Sequence, residues 1–375
     1  MQPRFRLALA AAAAAALLAG ASASASASAS ASASASASAS AAPSHRSSWL
    51  RPLPSRLYAP YYESYLAPQT PSVTATARAS GAKFMTIAFL QSKGTKSCAV
   101  DWNGAASQPL TYYDADIASL RKLGGDVIPS FGGYSADTSG SHDHGTEIAD
   151  SCTSVQQIAA VYERVVQTLR VTRLDMDVES NAETYAAGIN RRNEAIALAQ
   201  RWAARRGIRL QIQFTLPVEP TGLGSAGLSV LRNAIADGVR VYSVNIMVFD
   251  YYLPHEGVMN MSKTAITCAN AVHAELARLY PRLNSRQIWR MEAMTMLPGI
   301  SDFGKDETTT VHDARVMLAF EQKMQMNFLS IWAIQRDNEG PRSCRGQADS
   351  NTCSGIRQAP WAFDHALVPF TRSFR

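Results

Sequence analysis

Asp175, Asp177 and Glu179 stand at every second position of the stretch Leu174-Asp175-Met176-Asp177-Val178-Glu179-Ser180, with apolar residues in the gaps. Extended as a β-strand, a period of two sends the three acids to one face and Leu174, Met176 and Val178 to the other. Three carboxylates side by side on a buried face repel one another, and desolvation drives at least one toward its neutral form. A neutral carboxyl beside an ionised one is the material of acid–base chemistry, and it costs stability. The strand therefore reads as a site rather than as scaffold. The competing reading is a solvated edge strand with an acidic face, which the flanking Arg173 and Ser180 would suit.

The elements that must position these acids follow from periodicity. Strand-like runs fall at 56–60, 83–90, 126–133, 173–180, 208–217, 241–252, 287–297 and 327–337. Helical spacing joins Val155, Ile158, Ala159, Tyr162, Val165, Val166 and Leu169, and helical composition covers 186–206, 225–236, 263–279 and 311–324, with Gly207 placed to end the first of these ranges. Strands alternating with helices predict an α/β fold, a single (β/α)8 TIM barrel in which alternate strand residues face the interior. Catalytic groups in that architecture gather at the C-terminal strand ends, where Glu179 falls. An open doubly wound sheet lacks support, because no strand runs into a glycine-rich phosphate loop.

The amino terminus sets the expected compartment. Arg4 and Arg6 precede an apolar run from Leu7 to Leu18, followed by small residues at Ala19-Gly20-Ala21 and Ala21-Ser22-Ala23, the pattern of a secretory signal peptide over 1–23. The Ser-Ala alternation from Ala21 to Ala42 has nothing to bury, which predicts a disordered linker over 24–50 and a catalytic domain over 51–375. The expected product is exported, free of the membrane after cleavage, and monomeric. The net charge of +6 is mild, and the arginines of one helix, Arg191, Arg192, Arg201, Arg205 and Arg206, read as a solvated face. With no basic stretch interleaved with aromatics, a nucleic-acid partner is not expected. Five cysteines in an exported chain suggest two disulfides and one thiol: Cys344 with Cys353 across a short polar loop, Cys98 with Cys152 across neighbouring loops, and Cys268 buried on a helix with Ala265, Val272 and Leu276.

With these elements placed, the motifs resemble glycoside hydrolase family 18, the chitinases. The resemblance rests on Ser130-Phe131-Gly132-Gly133 and on Asp175-x-Asp177-x-Glu179, then on Thr215-Leu216-Pro217, Gly222-Leu223, Val244-Asn245-Ile246-Met247, Asp250-Tyr251 and Ile331-Trp332-Ala333-Ile334-Gln335-Arg336-Asp337. Tyr58-Ala59-Pro60-Tyr61, Cys98-x-x-x-Trp102 and Cys353-Ser354-Gly355-Ile356 are similar to the bacterial chitinase-D-like branch. The series runs in order from Tyr58 to Phe363.

The resemblance implies hydrolysis of β-1,4 bonds between N-acetylglucosamine units with retention, the substrate's own acetamide acting as nucleophile. Glu179 would then be the acid and later the base, Asp177 would orient the acetamide, and Asp175 would share a proton with Asp177. Phe249 departs from the family, where many members carry a tyrosine; Tyr251, of the same inward parity, is expected to supply the hydroxyl instead. Trp332 would form the floor under the reacting sugar, with Asp250, Met247, Phe249, Gln213, Ser130, Gly132 and Gly133 as further substrate contacts. The mechanism calls for no cofactor and no metal; His142 and His144 around Asp143 fall in a Ser/Gly/Asp-rich loop better suited to a rim than to a metal. Glu292 has no place in this scheme and is expected to be surface-facing or salt-bridged. Two alternatives share the barrel: an endo-β-N-acetylglucosaminidase acting on N-glycans, and a catalytically silent sugar-binding protein.

Overall fold

Parallel pairing organises the chain, and the acidic strand lies in the middle of it. The computed structural model describes residues 51–137, 146–251 and 257–371. Its strands, in chain order, are β1 (Leu57–Tyr58), β2 (Tyr61–Glu63), β3 (Phe84–Ser92), β4 (Val100–Trp102), β5 (Asp126–Gly132), β6 (Arg173–Asp177), β7 (Gln211–Pro217), β8 (Val241–Met247), β9 (Glu292–Met296), β10 (Gly299–Ser301), β11 (Gly304–Thr309) and β12 (Phe328–Ile331). From β3 the sheet runs in parallel through β5, β6, β7, β8 and β9 to β12. The ring closes through one interrupted stave. Leu57 and Tyr58 of β1 pair with Phe328 and Leu329, and Tyr61, Tyr62 and Glu63 of β2 pair with Thr86, Ile87 and Ala88. The result is the expected (β/α)8 barrel, with β6 flanked on both sides rather than at an edge.

Both faces of each stave are covered, so polarity divides by face. Leu174, Met176, Val178, Ile212, Phe214 and Leu216 join one core with helix residues such as Ile158, Val165 and Ile196. The inward face is polar and internally bonded: Asn245 donates to Thr215 at 3.0 Å and to Thr295 at 2.7 Å, and Ser243 donates to Asn327 at 2.9 Å. Arg173 is also buried, its guanidinium 4.5 Å over the Tyr242 ring, so it does not mark a surface.

The outer helices follow their sequence signals. Val155–Leu169 begins at Ser154, whose side chain accepts from Gln157 N, and Val311–Met324 begins in a capping box between Thr310 and Asp313. Ala186–Arg205 stops at Gly207, which takes the left-handed φ of 69° that closes a helix at low cost.

Several boundaries differ from expectation. The predicted strand 287–297 opens instead with the helix Ser285–Trp289, set by an Asn284–Gln287 capping box. The predicted strand 241–252 ends at Met247, and 327–337 ends at Ile331 before a turn of 3-10 helix at Ile334–Arg336. The antiparallel hairpin β10–β11 had no strand signal, because Gly304-Lys305-Asp306-Glu307 does not alternate apolar with polar. The proposed signal peptide and Ser-Ala linker lie outside the described residues, as do His142, Asp143 and His144.

Candidate active site

The three acids of β6 sit at three depths. Asp175 is fully buried and accepts four hydrogen bonds: from Tyr61 at 2.8 Å and Ser130 at 2.7 Å on one oxygen, and from Gln213 at 3.0 Å and Thr215 at 2.7 Å on the other. Burial pushes its pKa up, and these four donors pull against that shift. The donors come from β5 and β7 on either side and from β2 across the barrel, so Asp175 ties three other strands to its own. Both oxygens of Asp175 are thus engaged by neutral side chains.

Asp177 ends the strand, and Glu179 follows two residues later as the first residue of the turn into the helix Ser180–Thr184. Its side chain shares a hydrogen bond with Asp177 and accepts another from the Tyr134 backbone. Burial lifts the Glu179 pKa to about 7 against those bonds, and the charge of Asp250 adds to the lift. Glu179 is thus a half-buried acid that carries a proton near neutrality while hydrogen-bonded to a second carboxyl group.

These groups open into a cleft of about 660 Å³ at the C-terminal strand ends, lined by Asp177, Glu179, Met247, Phe249, Asp250 and Trp332 among others. Trp332 forms an aromatic floor. Its ring stacks on Phe89 with centroids 5.3 Å apart and meets the edge of Tyr61 at 5.4 Å.

Other expected contacts turn out to support the wall rather than form it. Ser130 and Gln213 spend their donors on Asp175. At Gly132 and Gly133 the backbone takes φ of 97° and 82°. A Cβ on Gly132 would sit 2.1 Å from the Asp177 carbonyl, and one on Gly133 would sit 2.3 Å from the Phe89 ring. These glycines let β5 end against the acidic strand; they do not face the cleft.

Tyr251 needs a fuller correction. Its side chain is buried in the helix-packed core and is absent from the cleft wall, with its hydroxyl beside the Cys268 thiol. Strand parity ends with Met247, and Asp250 then takes a left-handed φ of 51°, which breaks the alternation of faces. Counting by twos past the strand end put Tyr251 on the wrong face. Cys268 is the buried free thiol anticipated, and Cys98–Cys152 and Cys344–Cys353 are paired. Glu292 is buried rather than surface-facing and bonds His273 Nδ1 at 2.7 Å.

Residues missed from sequence include Tyr61, Phe89, Tyr134, Asp302 and Phe303, all on the cleft wall. Tyr61 was within reach, since it belongs to the Tyr58–Tyr61 motif and its hydroxyl suits an inward polar layer. Phe303, an aromatic alone between Asp302 and Gly304, was the one signal in its hairpin. Among the described residues, no group of three or more His, Cys, Asp or Glu side chains is placed to hold a metal ion.

Comparison with known proteins agrees with this geometry. No family model matches the chain. It is 31% identical over 326 residues to a probable bifunctional chitinase/lysozyme of Escherichia coli K12, covering 85% of this chain and 35% of that protein. It is 30% identical over 298 residues to endochitinase 11 of Metarhizium anisopliae, covering 78% of this chain and 54% of that one. The chain thus spans about a third and about half of the lengths of these two curated relatives. Among solved structures, catalytic-site mutants of active domain 2 of the Pyrococcus furiosus chitinase, one set complexed with chito-oligosaccharides, superpose with a TM-score of 0.73 at 27% and 26% identity, over 86% of this chain and 96% of theirs.

Proposed function

We propose that this chain belongs to the chitinases of glycoside hydrolase family 18 and is an exported chitinase, hydrolysing β-1,4-N-acetylglucosamine linkages of chitin or its oligosaccharides with retention. The observation that carries the proposal is Glu179: an acid with its pKa lifted to about 7, hydrogen-bonded to Asp177, on the wall of a cleft floored by Trp332. An acid protonated near neutrality can deliver its proton to a glycosidic oxygen without a large penalty on either side of the transfer.

In this scheme one sugar lies on Trp332, and Glu179 protonates the oxygen leaving its anomeric carbon. The acetamide oxygen of the same sugar attacks that carbon from the opposite face and closes an oxazolinium ring. Asp177 holds the acetamide N–H and offsets the positive charge. Glu179, now ionised, takes a proton from water as the water opens the ring, which restores both the enzyme and the original anomer. Asp175 acts beneath, holding β6 in register through its four donors. With Tyr251 turned into the core, Asp177 carries the acetamide without help from that hydroxyl. Every proton moves through Glu179, so the scheme needs no cofactor.

The signal-like segment at 1–23 and the Ser-Ala run that follows support export. Hydrolysis of a chromogenic chitooligosaccharide beside an N-glycoprotein, with the product anomer followed by NMR, tests the reading. Release from the chitooligosaccharide as the β-anomer is expected. Cleavage of the glycoprotein alone would favour the N-glycan alternative, and binding without cleavage would favour the silent barrel.

A further inference from the structure

The hairpin β10–β11 is tied to the cleft more tightly than its length requires. Its turn brings Asp302 and Phe303 to the cleft wall, and Phe303 stays 51% exposed there. The Asp302 N–H donates to Asp250 Oδ1 at 3.0 Å, and the Ser301 side chain also hydrogen-bonds Asp250. Farther along the hairpin, Glu307 accepts from the Tyr251 N–H at 3.2 Å. From beneath, the buried Arg336 donates to the carbonyls of Pro298 at 3.1 Å and Ile300 at 2.5 Å, and lies 3.8 Å from Asp302. Asp250, at its left-handed turn, therefore spends an oxygen on the hairpin rather than keeping its whole carboxylate for a sugar. The backbone donor and the Ser301 side chain hold it at the cost of burial and of the nearby Asp302 charge, which together lift its pKa to about 7.

A large aromatic side chain left half exposed on a polar hairpin, and braced from three sides, has a use if another flat apolar surface covers it. We infer that β10–β11 is a specificity element: it presents Phe303 as a second sugar-stacking face besides Trp332, and Asp250 acts through Asp302 as the residue that positions it. The substrates it selects are oligosaccharides long enough to reach the hairpin. This rests on the reading of the cleft as an N-acetylglucosamine site.

The test compares kcat and KM on the N-acetylglucosamine hexamer and on an aryl glycoside of the dimer for the unaltered enzyme, Phe303→Ala, Asp250→Ala, Asp250→Asn and the Phe303→Ala/Asp250→Ala pair. The unaltered enzyme prefers the hexamer. Phe303→Ala reduces that preference roughly five- to tenfold, mainly through KM, the size expected for one lost ring contact. Asp250→Ala reduces it by a similar factor, and the double variant adds little, because both act on one contact. Asp250→Asn keeps an acceptor for the Asp302 N–H and retains the preference. Equal losses on both substrates in Phe303→Ala, or additive losses in the pair, would overturn the inference while leaving the cleft's function standing. An unaltered enzyme that cleaves neither substrate would overturn the reading of the cleft and this inference with it.

Discussion

The Tyr61 hydroxyl reaches across the barrel interior to donate to Asp175 Oδ2 at 2.8 Å, so the first stave and the acidic strand are joined through the core. The same hydroxyl lies 2.9 Å from Thr215 Oγ1, which itself donates to the other oxygen of Asp175. Asp175 is thus a structural hub whose loss disturbs the acids above it. Asp175→Asn presents an NH₂ group to donors that already fill the site. It should cost about 1–3 kcal/mol in stability and lower kcat by at least tenfold, because a buried donor left facing a donor keeps its desolvation penalty. Thermal unfolding and initial rates check both effects. Unchanged melting would contradict the hub.

Tyr251 and Tyr61 should separate cleanly. Tyr251 is buried against Cys268, away from the cleft wall, whereas Tyr61 lines it. Tyr251→Phe is therefore expected to leave kcat within about twofold, and Tyr61→Phe to lower it several-fold by removing one donor from Asp175, a bond worth about 1 kcal/mol. Steady-state rates on one oligosaccharide decide between them. A large loss in Tyr251→Phe would return that hydroxyl to the reaction.

The pH profile follows from Glu179. Its pKa is lifted from 4.5 to about 7, so the acid form that donates the proton persists up to that pH and disappears above it. kcat/KM should fall about tenfold per pH unit above roughly pH 7. Because Glu179 bonds Asp177, the limb belongs to the pair rather than to one carboxyl. Asp250, also lifted to about 7, is a second source for such a limb. The limb should survive in Asp250→Asn. A fall beginning near pH 5 would mean that burial does not protect the acid.

The Cys98–Cys152 disulfide closes a loop of 54 residues that carries the glycines of β5 and the backbone of Tyr134. Closing a loop of that length restrains the unfolded chain by about 4 kcal/mol. The Cys98→Ser/Cys152→Ser variant should melt roughly 5–10 °C lower. Scanning calorimetry of both forms measures it. Melting that is unchanged by the substitution or by reductant would remove this bond from the account.

How far the sequence carried can be judged at particular residues. Asp175, Asp177 and Glu179 were legible because a strand's period of two is rigid, and Leu174, Met176 and Val178 needed a helix layer to cover them. The closed barrel followed from the same alternation repeated. Tyr251 was misplaced because that period stops at Met247, and the left-handed turn at Asp250 depends on contacts with Asp302 and Ser301, far along the chain. The helix at Ser285–Trp289 was hidden inside an apolar run, although Asn284 and Gln287 spell its capping box. The hairpin carrying Phe303 was not legible, since its strands are held by polar ties to other elements rather than by an alternating pattern.

In the proposed reaction Glu179 transfers the proton, and Glu179→Gln isolates that step. Glutamine keeps the shape of the side chain and removes the acid, so oligosaccharide binding measured by calorimetry should stay within a few-fold of the unaltered protein. Turnover of the same oligosaccharide should fall by three or more orders of magnitude, roughly 4 kcal/mol of lost transition-state stabilisation. A Glu179→Gln protein that binds and still hydrolyses at the original rate would exclude Glu179 as the proton donor.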